Sequence, residues 1–343
     1  MKLALITGIT GQDGSYLSEL LIQKKYKIYG IVRRNSILFN WERLEHIREK
    51  LVLHYGDMTD GAGLSNIINK IIEENKGFER LEIYNLAAQS HVKVSFEIPK
   101  YTTDVNATGV CNILEIIRSF PNSTKKKIRF YQAGTSEMYG EVLETPQDEN
   151  TPFNPQSPYA AAKVYAHNMV KIYREGYGIF ACNGILFNHE SPRRGEHFVT
   201  KKIIRSIKHI FGKNPNAILE LGNLYSKRDW GHSRDYVNGM WLMLQQEKPD
   251  DYVLATGETH TVKSFVEKAF KYKGILLRWA GEGLDEVGMD ASDKIRVRIN
   301  KKFYRPCEVD LLLGKPLKAK KVLNWKRTFK TLDDLIIDMF IGE

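Results

Sequence analysis

The sequence of 343 residues is long enough for one large α/β domain or two coupled lobes, each with its own core. Its hydrophobic fraction of 42% indicates a globular protein, and no apolar run approaches the ~18 residues of a membrane-spanning helix. Only three cysteines occur, far apart, so neither a disulfide framework nor a zinc-ligand spacing can be drawn, and no metal is predicted.

The net charge of +10 fits either a nucleic-acid surface or an enzyme whose ligands are polyanions. Basic residues are scattered, and the one dense run, TKKKIR, is interpreted as a solvated loop, so no nucleic-acid partner is predicted. The sequence begins in an apolar strand pattern without the regions of a signal peptide. We therefore expect a cytoplasmic protein with a small anionic ligand and no membrane partner.

Apolar, β-rich runs alternate with helical patterns along the first half of the chain. The predicted strands are LALIT, KIYGIVR, LVLHYG, LEIYNLA, IRFYQAGT and IFACNGILFN, and the predicted helices are SYLSELLIQKK, LSNIINKIIEE, TGVCNILEIIRS and a segment near 158–174. Strands separated by helices predict a doubly wound parallel sheet of the Rossmann type, an α/β fold. Beyond Glu190 the sequence is richer in polar loops, which predicts a smaller mixed α/β lobe at the carboxyl edge of the sheet.

Three glycines between the first strand and the first helix indicate a dinucleotide site. Gly8, Gly11 and Gly14 form a G-x-x-G-x-x-G series in TGITGQDGSYL. Glycines allow the tight turn and let the backbone approach a pyrophosphate at the amino end of the helix. A plain strand-to-helix turn is the alternative, but the position between strand and helix favours the dinucleotide.

The end of the second strand favours NADP over NAD. An acidic residue there would bind the ribose hydroxyls of NAD, whereas the sequence reads IVRRNS, with Arg33, Arg34 and Ser36 available for a 2′-phosphate. The alternative is two arginines on a solvated loop. Asp57 and Met58 follow the third strand near the expected adenine, and the small residues 86–88 follow the fourth, near the expected nicotinamide ribose.

Two further patterns point to proton transfer. Tyr159 and Lys163 are four residues apart in SPYAAAKVYAH, on one helix face, where an ammonium beside a phenol lowers the phenol pKa from about 10. In FYQAGTSEMYGEV, a buried strand pattern ends in Thr135, Ser136 and Glu137. A carboxylate there is either a reactive group or a strand-end charge that points into water.

With these motifs the chain resembles the extended short-chain dehydrogenase/reductases, and within them the nucleotide-sugar 4,6-dehydratases that act on GDP-mannose. The resemblance spans nearly the full length and is carried by GITGQDGSYL, VRRNS, NLAAQSHV, AGTSEMYG, SPYAAAK, LFNHESPRRGEHFV, RDWGHSRDYV and FYRPCEVD. It implies an enzyme, a hydro-lyase that converts GDP-mannose to the 4-keto-6-deoxy sugar through bound NADP. It also implies a homodimer or homotetramer.

The resemblance assigns the catalytic roles. Tyr159 takes the proton of the carbon 4 hydroxyl, with Thr135 hydrogen-bonded to the same oxygen and Lys163 beside the tyrosine. Glu137 removes the carbon 5 proton, after which water leaves from carbon 6. The expected catalytic set is therefore Thr135, Glu137, Tyr159 and Lys163.

The motifs and the resemblance together define two binding sets. The expected cofactor-binding residues are Gly8, Thr10, Gly11, Gln12, Asp13, Gly14, Arg33, Arg34, Asn35, Ser36, Asp57, Met58, Leu86, Ala87, Ala88, Ser90, Tyr101, Tyr159, Lys163, His189 and Arg194. The expected substrate-binding residues are Ser90, Thr135, Glu137, Asn188, Lys202, Gly222, Asn223, Arg228, Arg305 and Glu308. Glu308 either accepts from the guanine amino edge or forms an ion pair with Arg305.

The expected division of the chain is an NADP-binding domain over 1–190 and about 225–256, and a nucleotide-sugar lobe over about 191–224 and 257–343. Two other functions stay open: another NADP-linked nucleotide-sugar epimerase, reductase or dehydratase, and an inactive dinucleotide-sensing or RNA-binding module. The complete set of Thr135, Glu137, Tyr159 and Lys163 argues against an inactive module, which has no need of all four.

Overall fold

The computed structural model describes residues 1–34 and 42–342. Its strands are β1 (Lys2–Thr7), β2 (Lys27–Val32), β3 (Leu51–Tyr55), β4 (Arg80–Asn85), β5 (Ile128–Ala133), β6 (Phe180–Leu186), β7 (Asn188–Glu190), β8 (Leu219–Leu221), β9 (Lys227–Arg228), β10 (Trp230–His232), β11 (Asp251–Leu254), β12 (His260–Thr261), β13 (Arg278–Ala280), β14 (Val287–Met289) and β15 (Ile295–Ile299). Its helices are α1 (Gln12–Gln23), α2 (Gly61–Glu74), α3 (Val92–Glu97), α4 (Pro99–Thr103), α5 (Gly109–Ser119), α6 (Asn122–Lys125), α7 (Pro158–Tyr177), α8 (Val199–Gly212), α9 (Ser233–Met243), α10 (Val262–Tyr272), α11 (Leu317–Val322) and α12 (Leu332–Ile341).

Seven parallel strands form the main sheet in the order β11-β6-β5-β4-β1-β2-β3. Both faces are covered, as the alternation within β1 shows. Leu3 and Leu5 pack into the core beneath α2, α5 and α7, whereas Ala4 and Ile6 pack into the core beneath α1 and α9. The prediction of a doubly wound α/β fold is confirmed.

The sixth predicted strand is divided in the structure. IFACNGILFN was predicted as one strand, but β6 ends at Leu186 and a separate strand, β7, leaves the main sheet to pair in parallel with β10. Between them Phe187 is fully buried in a small core with Tyr139 and Val253, and its N–H donates to Leu254 O at 2.9 Å. Phe187 is thus still held to β11, and the chain changes partner at Asn188, which pairs with Trp230.

The second lobe has its own sheet and core. Strands β13, β14 and β15 are antiparallel, and β15 pairs in parallel with β8. Helices α8, α10 and α12 bury apolar side chains beside this sheet, Ile203, Phe265 and Leu335 among them. The smaller mixed lobe that the sequence predicted is therefore confirmed. Within residues 1–34 and 42–342, no helix is long and apolar enough to cross a membrane.

Local sequence explains how α7 begins and ends. Ser157 precedes the helix and its hydroxyl accepts from Ala160 N at 3.1 Å, while Pro158 occupies the first helical position. Gly178 ends the helix with a φ of 64°, in the left-handed region that favours glycine. The predicted Tyr159 thus lies in a capped first turn, beside the end of β5.

Candidate active site

Two joined cavities lie at the carboxyl ends of the main strands, where open α/β sheets bind ligands. One, of about 390 Å³, follows the β1–α1 turn and is here called the dinucleotide cavity. The other, of about 260 Å³, lies between the sheet and the second lobe and is here called the sugar cavity. Ser90, Arg194 and Phe198 line both, so the two cavities meet at these side chains.

The glycine turn is as tight as its spacing predicts. Gly8 has a φ of 67°, and a Cβ there would lie 2.8 Å from Ala87 N, in the chain after β4. A Cβ on Gly14 would lie 2.5 Å from Gly8 O. Because side chains at these positions would push the turn from the sheet, the glycines shape the dinucleotide cavity. The residues present therefore fit a pyrophosphate at the start of α1.

Most of the expected cofactor-binding residues line the dinucleotide cavity. They are Gly8, Thr10, Gly11, Gln12, Asp13, Gly14, Arg33, Asp57, Met58, Leu86, Ala87, Ala88, Ser90, Tyr101 and Arg194. Arg34 does not line it, and its guanidinium lies 5.7 Å from the centre of the Tyr55 ring. Asn35 and Ser36 lie outside the described residues.

The end of this cavity beside β2 is basic. Arg33 lines it after β2 and donates to the Tyr101 hydroxyl. Arg43, which the sequence did not single out, also lines it and donates to Thr10 O at 3.2 Å. Burial lowers the pKa of Arg43, because a desolvated guanidinium lacks the solvation that favours its charge. An anionic ligand group would compensate for that loss.

His189 lies beneath the dinucleotide cavity rather than in its lining. Its Nε2 is 2.8 Å from an Asp13 carboxylate oxygen, its Nδ1 is 2.8 Å from Phe187 O, and its ring stacks on Tyr236. Burial alone would raise the pKa of Asp13, but the charge of His189 and hydrogen bonds from His189 and Ser233 lower it to about 2. Both ring nitrogens are engaged, so His189 fixes the first turn of α1.

All ten expected substrate-binding residues line the sugar cavity. Three of them are cations: Lys202, Arg228 and Arg305. Burial lowers the pKa of Lys202 to about 8 and also lowers the pKa of Arg228, whose exposed fraction is 7%. Buried cations that lack full compensation favour an anionic ligand, as a sugar bound to a diphosphate would be.

The strand-end carboxylate points into this cavity. Glu137 is 8% exposed, in a short 3-10 turn over Ser136–Met138, and Thr135 caps the turn by accepting from Glu137 N at 3.2 Å. Arg305 Nη1 lies 3.3 Å from Glu137 Oε1. The alternative of a charge that points into water is therefore wrong. Glu308 accepts from the Arg305 backbone N–H at 2.8 Å, which orders the loop that carries this guanidinium.

Without bound ligands, burial is the largest influence on the pKa values of Tyr159 and Lys163. It raises the pKa of Tyr159 to about 12, against lowering contributions from the Thr135 hydrogen bond and the Arg194 charge. Lys163 Nζ donates to Ala133 O at 2.9 Å and lies 5.9 Å from the Tyr159 ring centre, and burial lowers its pKa to about 8. In the chain alone desolvation is the largest influence on the phenol pKa, and the expectation that Lys163 favours the phenolate stays a prediction.

Tyr159 lines the sugar cavity and not the dinucleotide cavity, and Lys163 lines neither.

Several lining residues were missed by sequence reasoning because no local pattern marks them. Besides Arg43 they include His91, Lys93, Glu190, His197, Phe198 and Phe303. Phe303 lies beside a predicted residue, since Lys202 Nζ is 3.3 Å from the centre of its ring.

This fold and its joined cavities define an extended short-chain dehydrogenase/reductase. A solved UDP-glucose 4-epimerase from Thermus thermophilus, in complex with NAD, matches all of this chain and 99% of its own with a TM-score of 0.78, at 22% identity. The chain belongs to the GDP-mannose 4,6-dehydratase family, whose sequence profile matches residues 5–339. It is an enzyme of the hydro-lyase class.

Two relatives show the extent of the similarity. The GDP-mannose 4,6-dehydratase of Drosophila melanogaster is 55% identical over 98% of this chain and 85% of its own length. That of Dictyostelium discoideum is 54% identical over 95% of this chain and 91% of its own. The family that the motifs indicated is thereby confirmed.

Proposed function

We propose that this enzyme dehydrates GDP-mannose to GDP-4-keto-6-deoxymannose with NADP bound throughout the turnover. The observation that carries the proposal is one cavity that brings Thr135, Glu137 and Tyr159 together with buried and half-buried cations, beside a glycine-shaped dinucleotide cavity. Oxidation of the sugar needs a dinucleotide in the dinucleotide cavity. Elimination of water needs a second base close to the Tyr159 phenol. Glu137 supplies the carboxylate that a simple epimerase has no use for.

In the proposed reaction Tyr159 and Glu137 transfer protons, and Thr135 orients the reacting hydroxyl. A bound nicotinamide dinucleotide supplies a hydride acceptor and later in the same turnover a hydride donor. Tyr159 takes the proton of the carbon 4 hydroxyl, and Thr135, which lines the same cavity and lowers the pKa of the phenol, orients that oxygen. The carbon 4 ketone acidifies the carbon 5 proton, which Glu137 removes and passes to the departing carbon 6 hydroxyl, so that water leaves. The hydride would then return to carbon 6 and an exchangeable proton would be added at carbon 5.

The remaining residues bind and orient. Arg228 and Arg305 bring positive charge close to Glu137, and guanidinium groups can make charge-assisted hydrogen bonds to the diphosphate of the substrate. Lys202, on α8, and Asn223 line the same cavity, and we assign them to the nucleotide part of the substrate. Lys163 Nζ is held by Ala133 O, and its proposed role toward the ribose of the dinucleotide requires the ammonium to turn toward the cavity, which it does not line.

The direct test is incubation with GDP-mannose and a catalytic amount of NADP⁺. We expect the product to have lost one water by mass spectrometry, without stoichiometric consumption of added NADPH, because the hydride returns to the same sugar. Consumption of one NADPH per product would identify a reductase, and a product of unchanged mass would identify an epimerase. Absence of any turnover would favour a binding module.

The choice of NADP is proposed from the basic end of the dinucleotide cavity. Arg33→Ala should weaken NADP⁺ binding by about tenfold or more while leaving NAD⁺ binding nearly unchanged, because a charge-assisted phosphate contact contributes about 1.5 to 3 kcal/mol. Titration calorimetry with both dinucleotides measures this preference. Arg34→Ala is the matched control, since Arg34 does not line the cavity. Equal affinities for NADP⁺ and NAD⁺ in the unmodified enzyme would overturn the assignment.

We further propose a homodimer or homotetramer in the cytoplasm. Helix α7 exposes Tyr165, Ile172 and Tyr177, which supports an interface on this outer helix of the sheet. Sedimentation equilibrium measures the mass of the assembly in solution.

The free cysteines, Cys111 and Cys182 among them, fit a reducing compartment. The proposed division into an NADP domain, 1–190 with about 225–256, and a nucleotide-sugar lobe stays a prediction.

A further inference from the structure

Glu190 is a buried carboxylate that the proposed reaction does not use. It ends β7, is 2% exposed and lines the sugar cavity. Side chains alternate along a strand, so His189 points toward Asp13 on α1 while Asn188 and Glu190 face the cavity. A charge is rarely buried beside a ligand cavity without a partner.

Thr200 and Arg194 contact Glu190, and Arg194 is one of the residues that line both cavities. Thr200 Oγ1, in the first turn of α8, donates to Glu190 Oε2 at 2.5 Å. Arg194 Nε lies 2.9 Å from the same oxygen. The Arg194 N–H is not aimed along this line, so the contact is an ion pair rather than a regular hydrogen bond.

The Arg194 guanidinium is held on a second side as well. Its central carbon lies 3.7 Å from the centre of the Phe198 ring, a cation–π contact. The backbone N–H of Arg194 donates to Ser191 O at 3.0 Å, which closes the turn after β7. With one face on a ring and Nε beside a carboxylate, the terminal nitrogens are the part of the guanidinium that can reach a ligand.

We propose that Glu190 is a positioning residue, which holds the Arg194 guanidinium at the junction of the two cavities so that it contacts the dinucleotide and stands near the Tyr159 phenol. The proposal rests on the proposed function. It explains how the Arg194 side chain acts in both the dinucleotide cavity and the sugar cavity. NADP⁺ affinity can be measured without turnover. The proposal for Glu190 can therefore be tested separately from the proposed reaction.

The charges that face the phenol show why this position matters. Tyr159 is surrounded by Thr135, Glu137, Asp13, Arg194 and Lys163. Burial and the two carboxylates raise the pKa of the phenol, whereas Thr135 and the charge of Arg194 lower it. A phenol that must lose its proton works at lower pH when the cation is near. Displacing Arg194 should therefore move the pH dependence of oxidation to higher pH.

Glu190→Gln tests the proposal with little change of shape. The amide oxygen can still accept from Thr200, but the charge that holds Arg194 is gone. We expect NADP⁺ binding, measured by titration calorimetry without substrate, to weaken about tenfold. The pH at half-maximal cofactor reduction in single turnovers should move upward, and GDP affinity should change by less than about threefold because Arg228 and Arg305 are untouched.

The matched control is Glu196→Gln, which removes a carboxylate from the same segment. Glu196 is exposed and pairs with Arg205 at the surface, so NADP⁺ affinity and the pH profile should match the unmodified enzyme. Glu190→Asp keeps the charge and should recover most of the lost NADP⁺ affinity. Recovery by the shorter carboxylate separates a charge effect from loss of packing.

A double-mutant cycle with Arg194→Ala decides whether Glu190 acts through Arg194. The NADP⁺ affinity of the double variant should equal that of Arg194→Ala alone, because the carboxylate has nothing left to position. Should Glu190→Gln fail to fold, Arg194→Ala must by itself weaken NADP⁺ binding. Wild-type NADP⁺ affinity in either single variant, or additive losses in the double variant, would overturn the proposal.

Discussion

Tyr159→Phe is expected to slow dehydration of GDP-mannose by about 10² to 10⁴-fold, the loss typical of a positioned proton-transfer group. The variant should remain folded, since Tyr159 is buried in the first turn of α7 and only its hydroxyl is removed. The loss should fall on the first oxidation, because the phenol accepts the carbon 4 hydroxyl proton. Single-turnover reduction of bound NADP⁺ measures that step directly.

The control for this variant is Tyr173→Phe, on the same helix. The Tyr173 hydroxyl donates to Glu115 away from both cavities, so its loss should leave the rate unchanged within about twofold. A near-normal rate in Tyr159→Phe would remove the phenol from the reaction. His189 could not replace it, because Asp13 and Phe187 O already engage both ring nitrogens.

The pH dependence of oxidation follows from the same residues. Burial raises the pKa of Tyr159 to about 12 and lowers that of Lys163 to about 8. Deprotonation of the phenol is therefore costly near neutral pH, and neighbouring cations decide how much of that cost remains. The ion pair that fixes Arg194 is for this reason as relevant to catalysis as the Tyr-x-x-x-Lys spacing.

Local spacing predicted the parts of the site that depend on neighbours in sequence. Gly8, Gly11 and Gly14 could be recognised because one turn needs all three, and Tyr159 and Lys163 because they lie one helical turn apart. Glu137 stood out because a carboxylate follows a buried strand pattern. In each case the residues that define the feature lie within about ten positions of one another, so the feature can be recognised from local sequence.

The rest depends on contacts that no local pattern records. Arg43 reaches the dinucleotide cavity from a loop, and Glu190 meets Thr200 only because β7 leaves the main sheet after Phe187. The net pKa of the phenol could not be predicted for a related reason. Spacing shows that Lys163 lies near Tyr159, but it does not show how deeply both are buried, and burial dominates both titrations.

Glu137→Gln is expected to lower the rate of dehydration by about 10²-fold or more, because the amide keeps the shape of the side chain but cannot accept the carbon 5 proton. Tyr159 and Thr135 are unchanged, so oxidation at carbon 4 should still proceed. NADPH absorbance should then rise transiently in the variant, where oxidation outruns elimination. Glu141→Gln, a change at an exposed carboxylate in the following loop, should have no effect.

The contact between Glu137 and Arg305 requires one further measurement. Arg305 Nη1 lies 3.3 Å from the carboxylate, so the change to glutamine also alters the partner of a substrate-binding cation. The affinity of the variant for GDP separates the two effects: if it is unchanged, the lost rate belongs to proton transfer. Reaction of the unmodified enzyme in D₂O should place deuterium at carbon 5, since the ring is reprotonated from an exchangeable group. A product without deuterium at carbon 5, or near-normal dehydration by Glu137→Gln, would overturn the assignment of this carboxylate as the base.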